Sequence, residues 1–342
     1  MSLAPNVNKK LEKPIIPQHK EDKLLLKALK PLTKAKPILE VEDLSVSFTQ
    51  YSNGLRQKEL QVISDLNLDL YPGEIMAVVG SSGSGKSLLA HAILGILPNN
   101  ATVTGKIAYK GDNINADSLE RLRGREIALV PQSVNYLDPL MRVGKQVQKA
   151  AKDREGKKAQ KEIFSRYNLQ PEVSKFYPFQ LSGGMARRVL VSTAVVSGAE
   201  LIIADEPTPG LDDVSVTETL NYFRELAKKG SSVILITHDI ETALKVADRI
   251  AVFYAGTTVE VAPVEDFKGK GETLRHPYSK ALWRALPQNE FLPIPGFQPL
   301  PNALPEGCLF QPRCQYASPK CVKVRPKVRD LRNGMVRCNN AT

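Results

Sequence analysis

The sequence predicts an α/β fold in which a parallel sheet with crossover helices is joined by an antiparallel β subdomain, a helical subdomain and a cysteine-containing C-terminal extension. Three observations predict it. Continuous apolar runs at Ile75–Val79, Ile127–Val130, Leu201–Ala204 and Val233–Thr237 suit strands buried on both faces. Helical patterns alternate with these runs, as crossover connections between parallel strands require. A glycine-rich turn joins the first run to the helical stretch Ser87–Leu97.

Residues 1–37 are rich in Lys and Pro and read as a disordered tail, within which Lys23–Leu32 could form a basic amphipathic helix on an anionic membrane surface. From Ile38 the texture changes. Ile38–Val41, Leu44–Phe48 and Leu66–Leu70 alternate in polarity and read as strands of the antiparallel subdomain. Tyr71–Glu74 is a turn into the first buried strand. Between about 133 and 196 strands are scarce, and the pattern is that of an inserted helical subdomain. The main domain therefore spans 38–267 and the extension 268–342. The extension has one predicted helix, Tyr278–Leu286, and ten prolines between 277 and 326, so it needs some other device to hold it together.

The 42 % hydrophobic content over 342 residues supports a large core. No apolar run approaches the ~18–20 residues a spanning helix needs. The apolar stretch Leu24–Leu26 is short and flanked by lysines, unlike a signal peptide. The expected location is cytoplasmic, with membrane contact made through partners. The net charge of +11 divides into +6 over residues 1–37, +9 over 268–342 and −4 between them. A nucleic-acid binder more usually carries its basic stripe on the folded domain, so nucleic acid is the lesser reading. All four cysteines fall in the last 35 residues, which in a cytoplasmic protein favours a metal or redox centre over a disulfide framework.

Gly80-Ser81-Ser82-Gly83-Ser84-Gly85-Lys86-Ser87 matches G-x-x-x-x-G-K-S between a strand and a helix. Its glycines let backbone N–H groups surround phosphates, and the helix N-terminus adds a favourable dipole. Lys86 should reach the β- and γ-phosphates, and the Ser87 hydroxyl should ligate Mg²⁺. Leu201–Ala204 runs into Asp205 and Glu206, where Asp205 fits Mg²⁺ and Glu206 fits the general base that polarises the attacking water. Gln132 follows another apolar strand and reads either as a ligand of Mg²⁺ or the attacking water, or as an ordinary turn residue. His238 reads either as structural or as a γ-phosphate contact at a strand end. Ser182, Gly183 and Gly184 open a helical run and form a second anion-binding helix start. Since the chain already has one phosphate loop, that second surface suggests phosphate held between two subunits.

Together these elements resemble the ATPase subunits of ABC transporters, which carry a P-loop NTPase core, over about 38–267. Residues 80–87 correspond to the Walker A motif, Gln132 to the Q-loop, and Leu181–Met185 to the signature. Leu201–Glu206 corresponds to Walker B, Pro209–Asp212 to the D-loop, with Asp212 its acid, and His238 to the switch histidine. The resemblance implies a head-to-tail cassette dimer, with each ATP between one P-loop and the other subunit's signature. It also implies an aromatic stacked on adenine, for which Phe48 is the first candidate and Tyr51 the second. Met185 in place of the usual Gln and the Pro209-Gly210 start of the D-loop depart from the common pattern.

In the extension, His276–Leu282, Pro293–Gly296 and Gly307–Cys314 resemble the C-terminal region of oligopeptide, dipeptide and nickel importer ATPases, a group that commonly has Met at the signature position. Cys308, Cys314, Cys321 and Cys338 do not follow a zinc-ribbon spacing. The resemblance implies a 4Fe-4S cluster on them, with structural zinc or unliganded thiols as alternatives. It further implies a heterodimer with a second, related ATPase, two membrane permeases and an extracytoplasmic solute-binding protein, at the cytoplasmic face of the inner membrane. Peptides, nickel complexes and other metal chelates all remain open as the solute. The alternatives are a soluble ABC ATPase of DNA repair or translation, for which a second cassette or a long coiled coil is lacking, and a regulatory module acting through its cysteines, which the intact catalytic set argues against.

Overall fold

The computed structural model describes residues 36–52, 56–151 and 155–341; the N-terminal tail, with Lys23–Leu32, lies outside the described residues. The first strands are β1 (Leu39–Ser52), β2 (Arg56–Leu70), β3 (Ile75–Gly80), β4 (Ala101–Tyr109), β5 (Asp112–Asn113) and β6 (Ile127–Val130). They are followed by β7 (Leu201–Asp205), β8 (Ser232–Ile236), β9 (Arg249–Tyr254), β10 (Thr257–Pro263), β11 (Arg329–Leu331) and β12 (Gly334–Val336).

A four-stranded antiparallel sheet runs in the order β2-β1-β4-β5. The two short strands read near residues 38–48 are one long strand, β1, whose pairing shifts register between Val41 and Leu44. An eight-stranded sheet has the order β11-β12-β10-β9-β3-β8-β7-β6. Its β9-β3-β8-β7-β6 portion is parallel, with Gly80 opposite Phe253 and Asp205 opposite Ile236. Every residue of β3, β7 and β8 is buried, as their unbroken apolar runs predict. The C-terminal ends of these strands therefore share one edge, where ligands bind in open α/β sheets.

Between β6 and β7 the chain forms helices Val143–Ala150, Gly156–Arg166 and Gly183–Val196, with short 3-10 turns and no strand among the described residues. Phe164, Tyr167, Val189 and Phe223 bury their side chains in a core that continues under the parallel sheet. Among the described residues no helix is long and apolar enough to cross a membrane.

The extension packs more densely than its prolines suggest. Helix Pro277–Arg284 sets Tyr278 against Tyr254 of β9, ring centroids 4.5 Å apart, and Phe310 packs edge-on to Tyr254 at 5.2 Å. Arg275 is buried against Glu260 (3.2 Å) and Asp266 (2.8 Å). The hairpin β11–β12 continues the main sheet through β10. An aromatic cluster, a buried ion pair and strand pairing thus hold the extension to β9 and β10, across the 267/268 position.

Candidate functional site

The phosphate loop begins where β3 ends. A Cβ on Gly80 would stand 2.4 Å from the Phe253 carbonyl oxygen, so only glycine lets the loop leave the sheet there. The loop turns through Gly83 (φ +74°) and Gly85 (φ +97°), left-handed positions that favour glycine. Gly85 caps helix Lys86–Leu94, and no side chain covers the helix N-terminus. Ser81 and Ser82 are exposed on the loop, whereas Ser84 is buried beneath it. Lys86 Nζ donates to the carbonyl oxygens of Gly80 (2.9 Å) and Ser81 (3.0 Å). Burial pushes the Lys86 ammonium down, and the charges of Glu206 and Asp205 oppose that. A buried cation held by carbonyl dipoles at a helix start favours a multiply charged anion.

Asp205 and Glu206 close β7 beside this loop. Burial pushes the Asp205 carboxyl up, while a hydrogen bond from Ser87 pulls it down. Its Oδ1 is buried with no hydrogen-bond partner among the described residues. A carboxylate oxygen so placed beside a serine hydroxyl fits a hard divalent cation such as Mg²⁺. Glu206 adopts a left-handed backbone (φ +48°), costly for a non-glycine residue, and its N–H donates to the Ile236 carbonyl at 2.9 Å. This bond locks the end of β7 to that of β8. Two residues beyond β8, His238 reaches back, with Nδ1 at 2.9 and 3.0 Å from the two Glu206 carboxylate oxygens. Lys86, Ser87, Asp205, Glu206 and His238, scattered in sequence, thus meet at one edge of the sheet.

The other predicted residues are placed more loosely. Gln132 is exposed on the loop leaving β6. Ser182 caps helix Gly183–Val196, its hydroxyl accepting from the Met185 N–H at 3.3 Å. A Cβ on Gly183 would meet nothing within 4 Å, and one on Gly184 would approach only the Gly210 carbonyl at 3.4 Å. This helix start is open to solvent and available to another molecule. Asp212 is a helix cap, accepting from the Ser215 N–H (2.9 Å) and hydroxyl (2.8 Å), and those bonds hold its carboxyl below the usual range. Phe48 packs partly buried against the core beneath β1, whereas the Tyr51 ring is exposed.

The ABC transporter family profile matches residues 63–209, and that of the oligopeptide/dipeptide transporter C-terminal region matches 259–321. The dipeptide transport ATP-binding protein DppD of Bacillus subtilis is 36% identical over 309 residues, covering 84% of this chain and 90% of that protein. The oligopeptide transport ATP-binding protein OppD of Salmonella typhimurium is 34% identical over 310 residues, covering 85% and 90%. The chain belongs to the ABC transporter ATPases. Among solved structures, cbiO1 from Clostridium perfringens, part of the ABC transporter complex cbiONQ, superposes with a TM-score of 0.54 at 26% identity over 68% of this chain and 90% of that one. The ATP-binding cassette MJ0796, in a dimeric post-hydrolysis state with ADP and Pi, superposes with a TM-score of 0.58 at 24% identity, covering 68% and 99%, and shares the fold. As an ABC ATPase the chain hydrolyses ATP, with Mg²⁺ as the usual cofactor of the family.

The cysteines of this ABC ATPase converge without forming a metal cage. Cys308, Cys314 and Cys338 each sense the charge of Cys321, and Cys308 and Cys314 that of Cys338 as well. Burial pushes the Cys308 thiol up to about 11. Burial acts the same way on Cys321, but hydrogen bonds from Ser318, Asn339 and Asn340 together outweigh it and hold that thiol below its ordinary value. Among the described residues no group of three or more His, Cys, Asp or Glu side chains is arranged to hold a metal ion. The expected 4Fe-4S cluster, and its zinc alternative, are not shown by this arrangement.

Two site neighbours were not legible in the motifs. Arg187, inside the signature helix, is buried, donates to the Pro131 carbonyl at 2.8 Å beside Gln132, and feels the charges of Asp205 and Glu206. Gln298, far out in the extension, accepts a hydrogen bond from the Ser81 hydroxyl at 2.7 Å. Arg187 could have been flagged as an arginine on the apolar face of its helix; no sequence signal marks Gln298.

Proposed function

We propose that this ABC ATPase powers import of peptides or related small solutes, nickel or metal chelates included, by closing and opening a cassette dimer coupled to membrane permeases. The observation that carries this reading is the union in one chain of the Lys86–Asp205–Glu206–His238 constellation with an oligopeptide/dipeptide transporter C-terminal region. Residues 38–267 form the nucleotide-binding domain, with its helical subdomain at about 133–196, and 268–342 the transporter-type extension.

In this reading residues 80–87 bind the ATP phosphates and Lys86 neutralises them. Ser87 and Asp205, with Gln132, would hold Mg²⁺, which when bound offsets charge on the β- and γ-phosphates. Glu206 accepts a proton from the attacking water, and His238, already hydrogen-bonded to it, keeps the carboxylate aimed and senses the γ-phosphate. The open helix start at Ser182, Gly183 and Gly184 serves the ATP of the other cassette, and Asp212 braces the D-loop against its helix. Phe48, or the freer Tyr51, stacks on adenine.

The partners are a second related ATPase in a heterodimer, two permeases and an extracytoplasmic solute-binding protein, which places the chain peripherally on the cytoplasmic face of the inner membrane without nucleic acid. DppD and OppD, named as dipeptide and oligopeptide transport ATP-binding proteins, support this. A metal centre on the four cysteines is a separate proposal, supported by the donors aimed at sulfur: Ser318 Oγ at 3.3 Å from Cys321 Sγ, and the Asn340 N–H at 3.4 Å from Cys338 Sγ. Copurification with the permeases, followed by a screen for solutes that stimulate ATP hydrolysis, tests the transport reading. Stimulation by peptides supports it; stimulation by DNA or ribosomes, with no permease bound, overturns it.

A further inference from the structure

One contact of the phosphate loop comes from the extension, 217 residues away in sequence. Gln298 Oε1 accepts from the Ser81 hydroxyl at 2.7 Å and from the Ala255 N–H at 3.3 Å, so one oxygen ties the loop to the turn after β9. The Tyr278 hydroxyl also lies within hydrogen-bonding reach of Ser81. Ser81 is the residue whose carbonyl holds Lys86 Nζ at 3.0 Å.

The segment that carries Gln298 is itself anchored. Arg313 Nε donates to the Pro295 carbonyl at 2.8 Å and Nη2 to the Ile294 carbonyl at 2.9 Å. Arg313 Nη1 also reaches the Tyr254 hydroxyl at 3.4 Å, and Tyr254 packs on Tyr278. The support runs from the cysteine segment through Arg313 and Gln298 to Ser81. Without it, the exposed face of a loop turning on Gly83 and Gly85 has few restraints. The bonds that remain are those of Lys86 Nζ to the Gly80 and Ser81 carbonyls, the Tyr278 hydroxyl to Ser81, the Ser84 N–H to the Ser81 carbonyl at 3.2 Å, and the Gly256 N–H to the Ser84 carbonyl at 3.0 Å.

We infer that Gln298 is a positioning residue of the phosphate loop, through which the C-terminal extension sets the affinity for ATP. The inference rests on residues 80–87 being the ATP phosphate site. A loop ordered before ATP arrives loses less freedom on binding, so the contact strengthens binding of ground state and transition state alike. Its loss then raises KM and leaves kcat nearly unchanged.

The test uses the full chain, Mg-ATP, steady-state hydrolysis and a fluorescent ATP analogue for direct binding. Gln298→Met, close in shape and at most a weak acceptor, should raise KM and the analogue's Kd about threefold to tenfold, as expected for one lost hydrogen bond, with kcat within about twofold. Ser81→Ala takes away the loop's end of the same bond, so adding the Gln298 change to it should cause no further rise in KM. Gln298→Asn, too short to reach, serves if the Met variant folds poorly, and thermal melting checks each protein. A wild-type KM for the Gln298 variants, additive effects in the double variant, or a loss of melting temperature with KM unchanged would each overturn the inference. Lys86→Ala, measured in parallel, separates the two readings. If it loses ATP binding while Gln298 variants behave as wild type, only the positioning role fails; if it binds ATP normally, the phosphate-site reading itself fails.

Discussion

Acidification should unlock the joint between cassette and extension through one histidine. His276 is fully buried, and its Nδ1 accepts from the Tyr278 N–H at 3.0 Å, so that nitrogen cannot carry a proton in the folded state. Glu260 accepts from the His276 backbone N–H at 2.8 Å but spends its charge on Arg275, and Phe310 faces the ring at 5.9 Å. Burial pushes the imidazole down to about 3 from an ordinary 6.5. The unfolded chain therefore takes up a proton below about pH 6.5 that the folded chain refuses. The stabilisation is complete above 6.5 and is lost as pH falls toward 3. Between about pH 7.5 and pH 5 the loss from this group comes to ~2 kcal/mol, at ~1.36 kcal/mol per unit. Urea unfolding at both pH values measures it, with His276→Asn as the comparison, since Asn can accept the same cap hydrogen bond and does not titrate. Carboxylates that titrate in both proteins cancel in the difference. Wild type should lose ~2 kcal/mol more than the variant on acidification. Equal losses would refute the reasoning and mean that the ring is protonated or solvated in the fold.

Glu206→Gln should keep ATP binding and lower turnover at its own site by about a hundredfold or more, measured with any partner site silenced; near wild-type turnover removes Glu206 from the chemistry. Gly183→Arg should fold and bind ATP as an isolated chain, since its side chain starts in open space, yet impair dimer closure; loss of ATP binding by the monomer counts against a site shared between cassettes. The metal centre proposed on the four cysteines predicts about four irons per chain in anaerobically purified protein, released by any single Cys→Ser change; one zinc, or no metal with an ordered extension, rules the cluster out.

What was legible in the sequence follows from the range of the forces involved. The parallel strands announce themselves because burial on both faces demands unbroken apolar runs, and β3, β7 and β8 carry them. Lys86, Asp205, Glu206 and His238 could be assigned because each sits within two residues of a strand end or a helix start. Asp212 corresponds to the D-loop acid in the sequence, and its visible work is local, capping helix Asp213–Lys228. The partner of Arg187, a main-chain carbonyl at Pro131, has no signature in sequence. Gln298 and the Glu260–Arg275 pair depend on contacts that only the assembled fold creates.

The same contrast explains the basic tail. Proline has no N–H, so a proline-rich irregular chain offers more main-chain acceptors than donors, and buried carbonyls left unpaired are costly. Arginine brings five donors and no acceptor. In the extension, Arg275 donates to the carbonyls of Leu331 and Arg332, and Arg313 to those of Ile294 and Pro295. Arg329 serves Cys338 and Ala341, and Arg337 serves Pro326 and Asp65. Four of the thirteen Lys and Arg residues of 268–342 thus donate to main-chain carbonyls, and Arg275 is also paired with Glu260 and Asp266. Part of the charge that raises nucleic acid as a reading of the sequence serves, in the fold, as donors for a chain short of N–H groups.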